Sequence, residues 1–316
     1  VLKGGVEEGK IAHAYLFSGT RGTGKTSLAR ILARAIGTSL NDLTEMDAAS
    51  QTGVDNIRAL NESVHTLPYD SKYKVYILDE AHMLSKSAWN ALLKTLEEPP
   101  AHVIFVLATT ELSKVPETVV SRCQTFHFKS PNLNTLRDFV ISVSKKEGYK
   151  LENDAAELIA LLSEGSFRDA HGILEKVLTS SPNKTIERGE VEIVTGAPKL
   201  QIVNKIIEAV VLEDMESGLK AIAEAAESNS EMKLLSKMVL ERLRFVFLLR
   251  LKAGMDDRIA LQVSEEDFSF LKDLALKAGP NFTALTLLRF VEAYENSGKT
   301  SIPELSLELA LTGGLK

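Results

Sequence analysis

One stretch limits what this chain can fold into more than any other. Gly19, Thr20, Arg21, Gly22, Thr23, Gly24, Lys25 and Thr26 read G-x-x-x-x-G-K-T, the spacing of a loop that cradles phosphates. Its flanks agree. Residues 14–18 are a short apolar run with aromatic members, as expected of a buried strand. Beyond the loop, Leu28, Ile31, Leu32 and Ala35 fall at helical spacing, and Gly37 supplies a stop. Lacking Cβ atoms, the loop can curl its backbone N–H groups onto one anion, and a helix N-terminus adds partial positive charge. Lys25 would reach the β- and γ-phosphates, and the Thr26 hydroxyl would take one Mg²⁺ position. The candidate nucleotide-binding residues run from Gly19 to Ser27. The alternative is an ordinary glycine-rich turn.

A chain of 316 residues has room for two or three domains with real cores. A net charge of −6 argues against a monomer that coats DNA or an acidic membrane. Nucleic-acid contact would need a local patch or an assembled surface. One cysteine excludes a disulfide framework and any cysteine-rich zinc site, so a reducing, cytoplasmic setting is expected, with no membrane partner. The most apolar run, 245–249, is too short to span a bilayer, and no signal peptide is evident. The first residue is Val1 rather than Met, so an upstream piece is expected to be missing.

Residues 1–130 alternate short apolar runs with helical patterns, which predicts a parallel sheet covered on both faces. Strands are expected at 15–18, 43–46, 74–78, 103–108 and 124–128. Pro131 ends that pattern and no strand is expected after it. Three or four helices are expected over 131–196, with Asn153 and Ser166 as N-caps and Gly165 and Gly196 as stops. Pro198 marks a second boundary. Residues 197–316 read as helix throughout, the longest over about 231–252 and apolar nearly all round in its second half, fit for a core or an interface.

The run 75–78 delivers Asp79 and Glu80 at a strand tip, the Walker B pattern. Asp79 would hold Mg²⁺ and Glu80 would polarise the attacking water. Adjacent strand residues point to opposite faces, so the strand must end there for both to serve. A solvated acidic turn is the plain alternative. Asp79-Glu80-Ala81-His82 also spells the box of a helicase class. Such helicases need a second RecA-like domain with an arginine-rich motif, which is absent from this sequence; His82 reads as a packing or hydrogen-bonding residue. Strand 103–108 runs into Thr109-Thr110, where a hydroxyl could sense the γ-phosphate or merely cap the next turn of chain. Arg122, after a short helix opened by Pro116, suits either insertion into a neighbour's site or a local salt bridge. Arg168, just past Ser166, stands where a cation is mildly disfavoured, so either Asp169 compensates or it reaches a phosphate.

Taken together, HAYLFSGTRGTGKTS (13–27), EMDAASQTGVDNIR (45–58), KVYILDEAHMLSKSAWNALLKTLEEPP (74–100), FVLATTE (105–111), SRCQTFHFK (121–129) and EGSFRDA (164–170) resemble the AAA+ ATPases. Within them, the resemblance is to the gamma/tau subunits of bacterial DNA polymerase III clamp loaders. It is weaker over the last third, where IPELSLELAL (302–311) still looks similar. It implies an α/β P-loop domain with a five-stranded parallel sheet (1–130), a helical lid (131–196) and an all-α collar (197–316). Lys25, Glu80, Thr110 as sensor 1, Arg122 acting in trans and Arg168 as sensor 2 would form the catalytic set. ATP and Mg²⁺ would be bound, with Thr26 and Asp79 at the metal. Partners would be the other subunits of a pentameric ring, the sliding clamp and primer-template DNA. ATP binding would open the clamp and hydrolysis would release it on DNA.

Two departures from that family stand out. Ile36-Gly37-Thr38-Ser39 leads straight toward the second strand, where relatives commonly insert a zinc module, so no zinc site is visible in this sequence: either this member lacks the module or the given sequence omits it. The segment that helps hold adenine, and the tail that separates tau from gamma, are likewise not found in the sequence. A non-hydrolysing scaffold of the delta-prime kind is the alternative; the intact Gly24-Lys25-Thr26 and Asp79-Glu80 favour a motor.

Overall fold

The computed structural model describes residues 2–313 except 51–52, 182, 229, 252–253, 255, 261–262 and 264. Two compact units emerge. The first holds residues up to Pro131 together with Gly165–Arg168; the second holds Asn132–Glu164 and everything from Asp169 onward.

Five strands form the first unit: β1 (Ala14–Gly19), β2 (Leu43–Asp47), β3 (Lys74–Asp79), β4 (Val103–Thr109) and β5 (Gln124–Phe128). They lie side by side in the order β2-β3-β4-β1-β5, every neighbouring pair parallel. The five expected strands are all present, longer by a residue at one or both ends in four of them. Alternation along each strand divides two apolar layers. Leu16, Tyr76, Leu78, Phe105 and Leu107 face helices α3 (Val54–Val64) and α4 (Lys86–Glu97). Tyr15, Phe17, Val75, Ile77, Ile104 and Val106 face Ala29, Leu32 and Ala33 of α2 (Lys25–Ala35), with α1 (Leu2–Glu7) adding Leu2 and Val6. Burial on both faces explains the nearly unbroken apolar strands. A short helix α5 (Glu117–Val120) precedes β5.

A buried carboxylate shapes the end of the sheet away from the glycine loop. Asp42, 1% exposed, accepts the N–H groups of Tyr69, Asp70 and Ser71 at 2.6, 2.9 and 2.9 Å. Burial alone would push its carboxyl up; these donors and the Ser71 hydroxyl outweigh it and hold it at about 2.

The second unit is helical: α6 (Leu133–Lys146), α7 (Asn153–Leu162), α8 (Phe167–Ser180, whose first two residues belong to the sheet unit), α9 (Arg188–Thr195), α10 (Leu200–Leu212), α11 (Met215–Glu227), α12 (Met232–Arg250), α13 (Asp256–Ala260), α14 (Glu265–Lys277), α15 (Ala284–Asn296) and α16 (Leu305–Thr312). One expectation fails here. Lys150–Leu151 (β6) and Thr185–Ile186 (β7) pair in parallel, because the segments entering α7 and α9 run together and bury Leu151 and Ile186. Asn153 opens α7 from within, with Glu152 in the cap position. The longest helix, α12, packs against α10, α14 and α15 and buries Leu235, Val239, Leu243 and Val246. Its Arg242, 8% exposed, donates to Asn204 Oδ1 at 2.8 Å and to Asp267.

No described helix is long and apolar enough to cross a membrane.

Candidate nucleotide site

β1 ends at Gly19, and the glycine loop leads directly into α2. A Cβ on Gly19 would collide with the Phe128 carbonyl at the end of β5, so only glycine allows that close approach. Gly22 has a φ of 74°, and a Cβ there would strike Ser166 Oγ. Within the loop, Thr23 Oγ1 donates to the Thr20 carbonyl at 2.8 Å, and Thr20 Oγ1 lies 2.8 Å from Ser130 Oγ. Gly24 caps α2 without a side chain, so the first-turn N–H groups receive no side-chain acceptor and suit an anion. Arg21 and Ser27 are exposed.

Lys25 is 5% exposed. Its Nζ donates to the carbonyls of Gly19 and Thr20 at 2.8 and 2.9 Å. Two of its three hydrogens brace the loop. Burial pulls the ammonium below its ordinary range; Glu80 and Asp79 oppose that, while Arg168 adds to it.

At the tip of β3, Asp79 Oδ2 accepts the Thr26 hydroxyl at 2.6 Å, and Asp79 Oδ1 accepts the Glu80 N–H at 2.9 Å. Glu80 adopts φ 47°, ψ 42°, a left-handed conformation rare for a side-chain-bearing residue. The chain therefore turns immediately after Asp79, as two adjacent acids serving one site require. Glu80 Oε2 accepts the Thr110 hydroxyl at 3.1 Å from the end of β4. Thr110 is thus brought to the acids, and Thr109 beside it is fully buried.

Two of the sequence-derived arginines are placed differently. Arg168 stands with Ser166 and Phe167 over the loop: the Phe167 N–H donates to the Gly22 carbonyl at 2.9 Å, and Arg168 is near enough to Lys25 to act on its charge. Arg122 is not gathered with these residues; its Nη2 pairs with Glu97 Oε1 at 2.7 Å and its Nη1 donates to the Thr118 carbonyl at 2.6 Å. Sequence reasoning missed the contact of Ser166 with Gly22 and the Glu97 partner. Neither carries a local sequence signal.

The donor set matches a small, hard divalent cation shared with a polyphosphate. Thr26 and Asp79 supply two hard oxygens, and Mg²⁺ ordinarily takes one or two protein ligands and draws the rest from phosphate and water. Among the described residues no group of three or more His, Cys, Asp or Glu side chains is arranged to hold a metal by itself.

The model of the family described as DNA polymerase III, delta subunit, matches residues 37–132. The chain is 32% identical to the DNA polymerase III subunit tau of Bacillus subtilis, over 98% of this chain and 58% of that protein. It is 36% identical to subunit tau of Escherichia coli, over 79% of this chain and 42% of that protein. A third relative, the gamma/tau subunit of Mycoplasma pneumoniae, is 41% identical over 61% of this chain and 31% of its own length. The match therefore spans between about a third and three-fifths of each relative. Among solved structures, the RuvB Holliday junction branch migration motor of Thermotoga maritima superposes with a TM-score of 0.52 at 22% identity, covering 66% of this chain and 72% of that one. At that identity the likeness concerns the fold alone.

Proposed function

Because this chain belongs to the DNA polymerase III gamma/tau family, we propose that it is the ATP-hydrolysing motor of a clamp loader. It would use ATP binding to open a sliding clamp and hydrolysis to release it on primer-template DNA. One observation carries the reading: the Thr26 hydroxyl and Asp79 carboxylate meet at 2.6 Å, with Glu80 turned out beside them. A phosphate-binding loop and a polarising acid then share one cleft.

Each residue has a task under this proposal. The first-turn amides of α2 and the Lys25 ammonium hold the β- and γ-phosphates. Thr26 and Asp79 hold Mg²⁺, which when bound offsets charge on the phosphate oxygens. Glu80 orients the attacking water and draws off its proton, while Thr110 fixes the carboxylate. Arg168 faces the phosphates from above the loop. Arg122 would leave Glu97 to complete the site of a neighbouring subunit, stabilising charge as the phosphoryl group departs. Residues 131–196 would act as the lid and 197–316 as the collar of a pentameric ring, working in the cytoplasm.

A second reading, a non-hydrolysing scaffold, draws on the family model described as a delta subunit. The complete glycine loop and acid pair weigh against it. ATP turnover, measured alone and with clamp-loader partners, sliding clamp and primed DNA, separates the two. The motor is expected to be stimulated by clamp and DNA together, and Lys25→Ala to lose nucleotide binding. Turnover absent under every condition would support the scaffold.

A further inference from the structure

His82 lies in the short turn Ala81–Met83 that comes after Glu80, and its side chain is only 7% exposed. Both ring nitrogens face polar groups. Nδ1 is 3.1 Å from Thr109 Oγ1 and 3.4 Å from Glu80 Oε2; Nε2 is 3.4 Å from Glu111 Oε1. Glu111 is itself held: Lys114 Nζ donates to the same Oε1 at 2.8 Å, and the Glu111 N–H donates to Thr109 Oγ1 at 3.0 Å. The Lys114 hydrogen bond, foremost, keeps the Glu111 carboxyl below the usual carboxylate range; the nearby imidazole adds to the effect.

These contacts form a bracket around Glu80. The Glu80 backbone is held in a conformation that its residue type disfavours, so backbone preference does not fix where its carboxylate points. Two side chains do: Thr110 donates to Oε2, and His82 flanks the same oxygen. The imidazole is held by the end of β4 and the turn after it: Thr109 contacts Nδ1, the nitrogen that also flanks Glu80, and Glu111 faces Nε2 on the far side. Burial matters as well, since an imidazole among fixed partners loses little freedom and so transmits position well.

Resting on the ATPase reading above, we infer that His82 is a positioning residue for Glu80, setting its carboxylate through the Thr109–Glu111 anchor. No bond is made or broken at the imidazole. It acts on the reaction only by keeping the carboxylate in line with the water, where a displacement of about 1 Å costs on the order of 10²-fold in rate.

The test is steady-state ATPase kinetics of the full protein with its clamp-loader partners, alongside nucleotide affinity and thermal melting. His82→Ala is expected to lower kcat by about 10²-fold, with KM and nucleotide affinity within about twofold of wild type. His82→Gln, which keeps a donor and an acceptor and is the variant to use if His82→Ala melts early, is expected to recover part of the loss. In a Glu80→Gln background, His82→Ala is expected to add little, because residues acting through one another are not additive. An unchanged kcat in both His82 variants would overturn the inference and leave the ATPase reading standing. So would a full extra loss in the Glu80→Gln background. Wild-type protein that binds ATP yet never hydrolyses it would overturn both.

Discussion

Thr26 donates its hydroxyl hydrogen to Asp79 Oδ2 across 2.6 Å, so the first turn of α2 and the tip of β3 meet at one hydrogen bond. Both oxygens are hard, and under the proposed function they would together offer a divalent cation its protein share of ligands. Thr26→Ala and Asp79→Asn are expected to lower Mg²⁺-dependent ATP affinity by about 10–100-fold, the range of one lost charge-assisted contact. Thr26→Ser is expected to keep most of it. Titrating nucleotide at several Mg²⁺ concentrations checks this; an unchanged Mg²⁺ dependence in both Thr26→Ala and Asp79→Asn would remove the metal assignment.

Gly22 and Ser166 offer a cleaner structural test. Alanine at 22 meets two obstacles, a φ of 74° and the Ser166 hydroxyl. Gly22→Ala is expected to destabilise by about 1–3 kcal/mol and to weaken nucleotide binding. Adding Ser166→Gly is expected to restore only the part due to the collision. Calorimetric melting and affinity of the two single variants and the double variant measure that coupling.

Arg122 and Glu97 form a partly exposed ion pair worth less than about 1 kcal/mol. Arg122→Ala is therefore expected to leave folding and ATP affinity intact while slowing turnover in the assembled ring by up to ~10³-fold. Glu97→Gln, which removes the ion pair and leaves the Thr118 hydrogen bond, is expected to keep turnover at or above wild type. Equal losses in the two variants would identify the pair as a local brace.

Asp42 ties the loop before β3 with three backbone N–H bonds. Its carboxyl titrates at about 2 in the folded chain, against about 3.9 unfolded. A depressed value means that the stabilisation is complete above the unfolded value and is lost as pH falls toward 2. Asp42→Ala is expected to cost roughly 2–4 kcal/mol at neutral pH. Asp42→Asn is expected to cost nearly as much, because its NH₂ would face donors. Chemical denaturation at pH 7 and pH 3 should show the gap from wild type shrinking in acid.

Glu157 runs the opposite way. Burial first, then the Asp267 charge, push its carboxyl up to about 7, with Arg137 and Arg188 opposing. The folded chain keeps that proton where an unfolded one, with a value of about 4.3, has lost it. Stability from this group therefore falls as pH rises between those two values. Glu157→Gln is expected to melt higher than wild type at pH 8 and close to it at pH 5. A constant difference across that range would refute the linkage.

Much of the sheet unit was readable from residue order. β1, β3 and β4 are apolar on both faces and end in polar or small residues, so strand identity, burial and the end that carries the site all come from one pattern. Spacing alone brought Lys25, Thr26, Asp79 and Glu80 together, because the loop and the strand tip are fixed by local geometry. Long-range pairings left no such trace. The contact of Ser166 with Gly22, the Glu97 partner of Arg122 and the grip of Asp42 on residues 69–71 join positions whose neighbours in sequence look ordinary. The pair β6–β7 was missed for another reason: two residues are too few to show a period. His82 was legible as a hydrogen-bonding residue, but Thr109 and Glu111 reach it from the end of a different strand, which no spacing around His82 could announce.

Among the described residues of the sheet unit, Glu80 alone bears a side chain at positive φ. A left-handed turn of this kind costs about 1–2 kcal/mol for a residue with a Cβ, and glycine would relieve it. The sheet unit is thus less stable than glycine at this position would make it, and the cost falls at the carboxylate to which the proposed hydrolysis assigns the attacking water. A search for more heat-resistant variants would be drawn to this position, and under the proposed hydrolysis each success there would deliver a sturdier protein with an idle cleft.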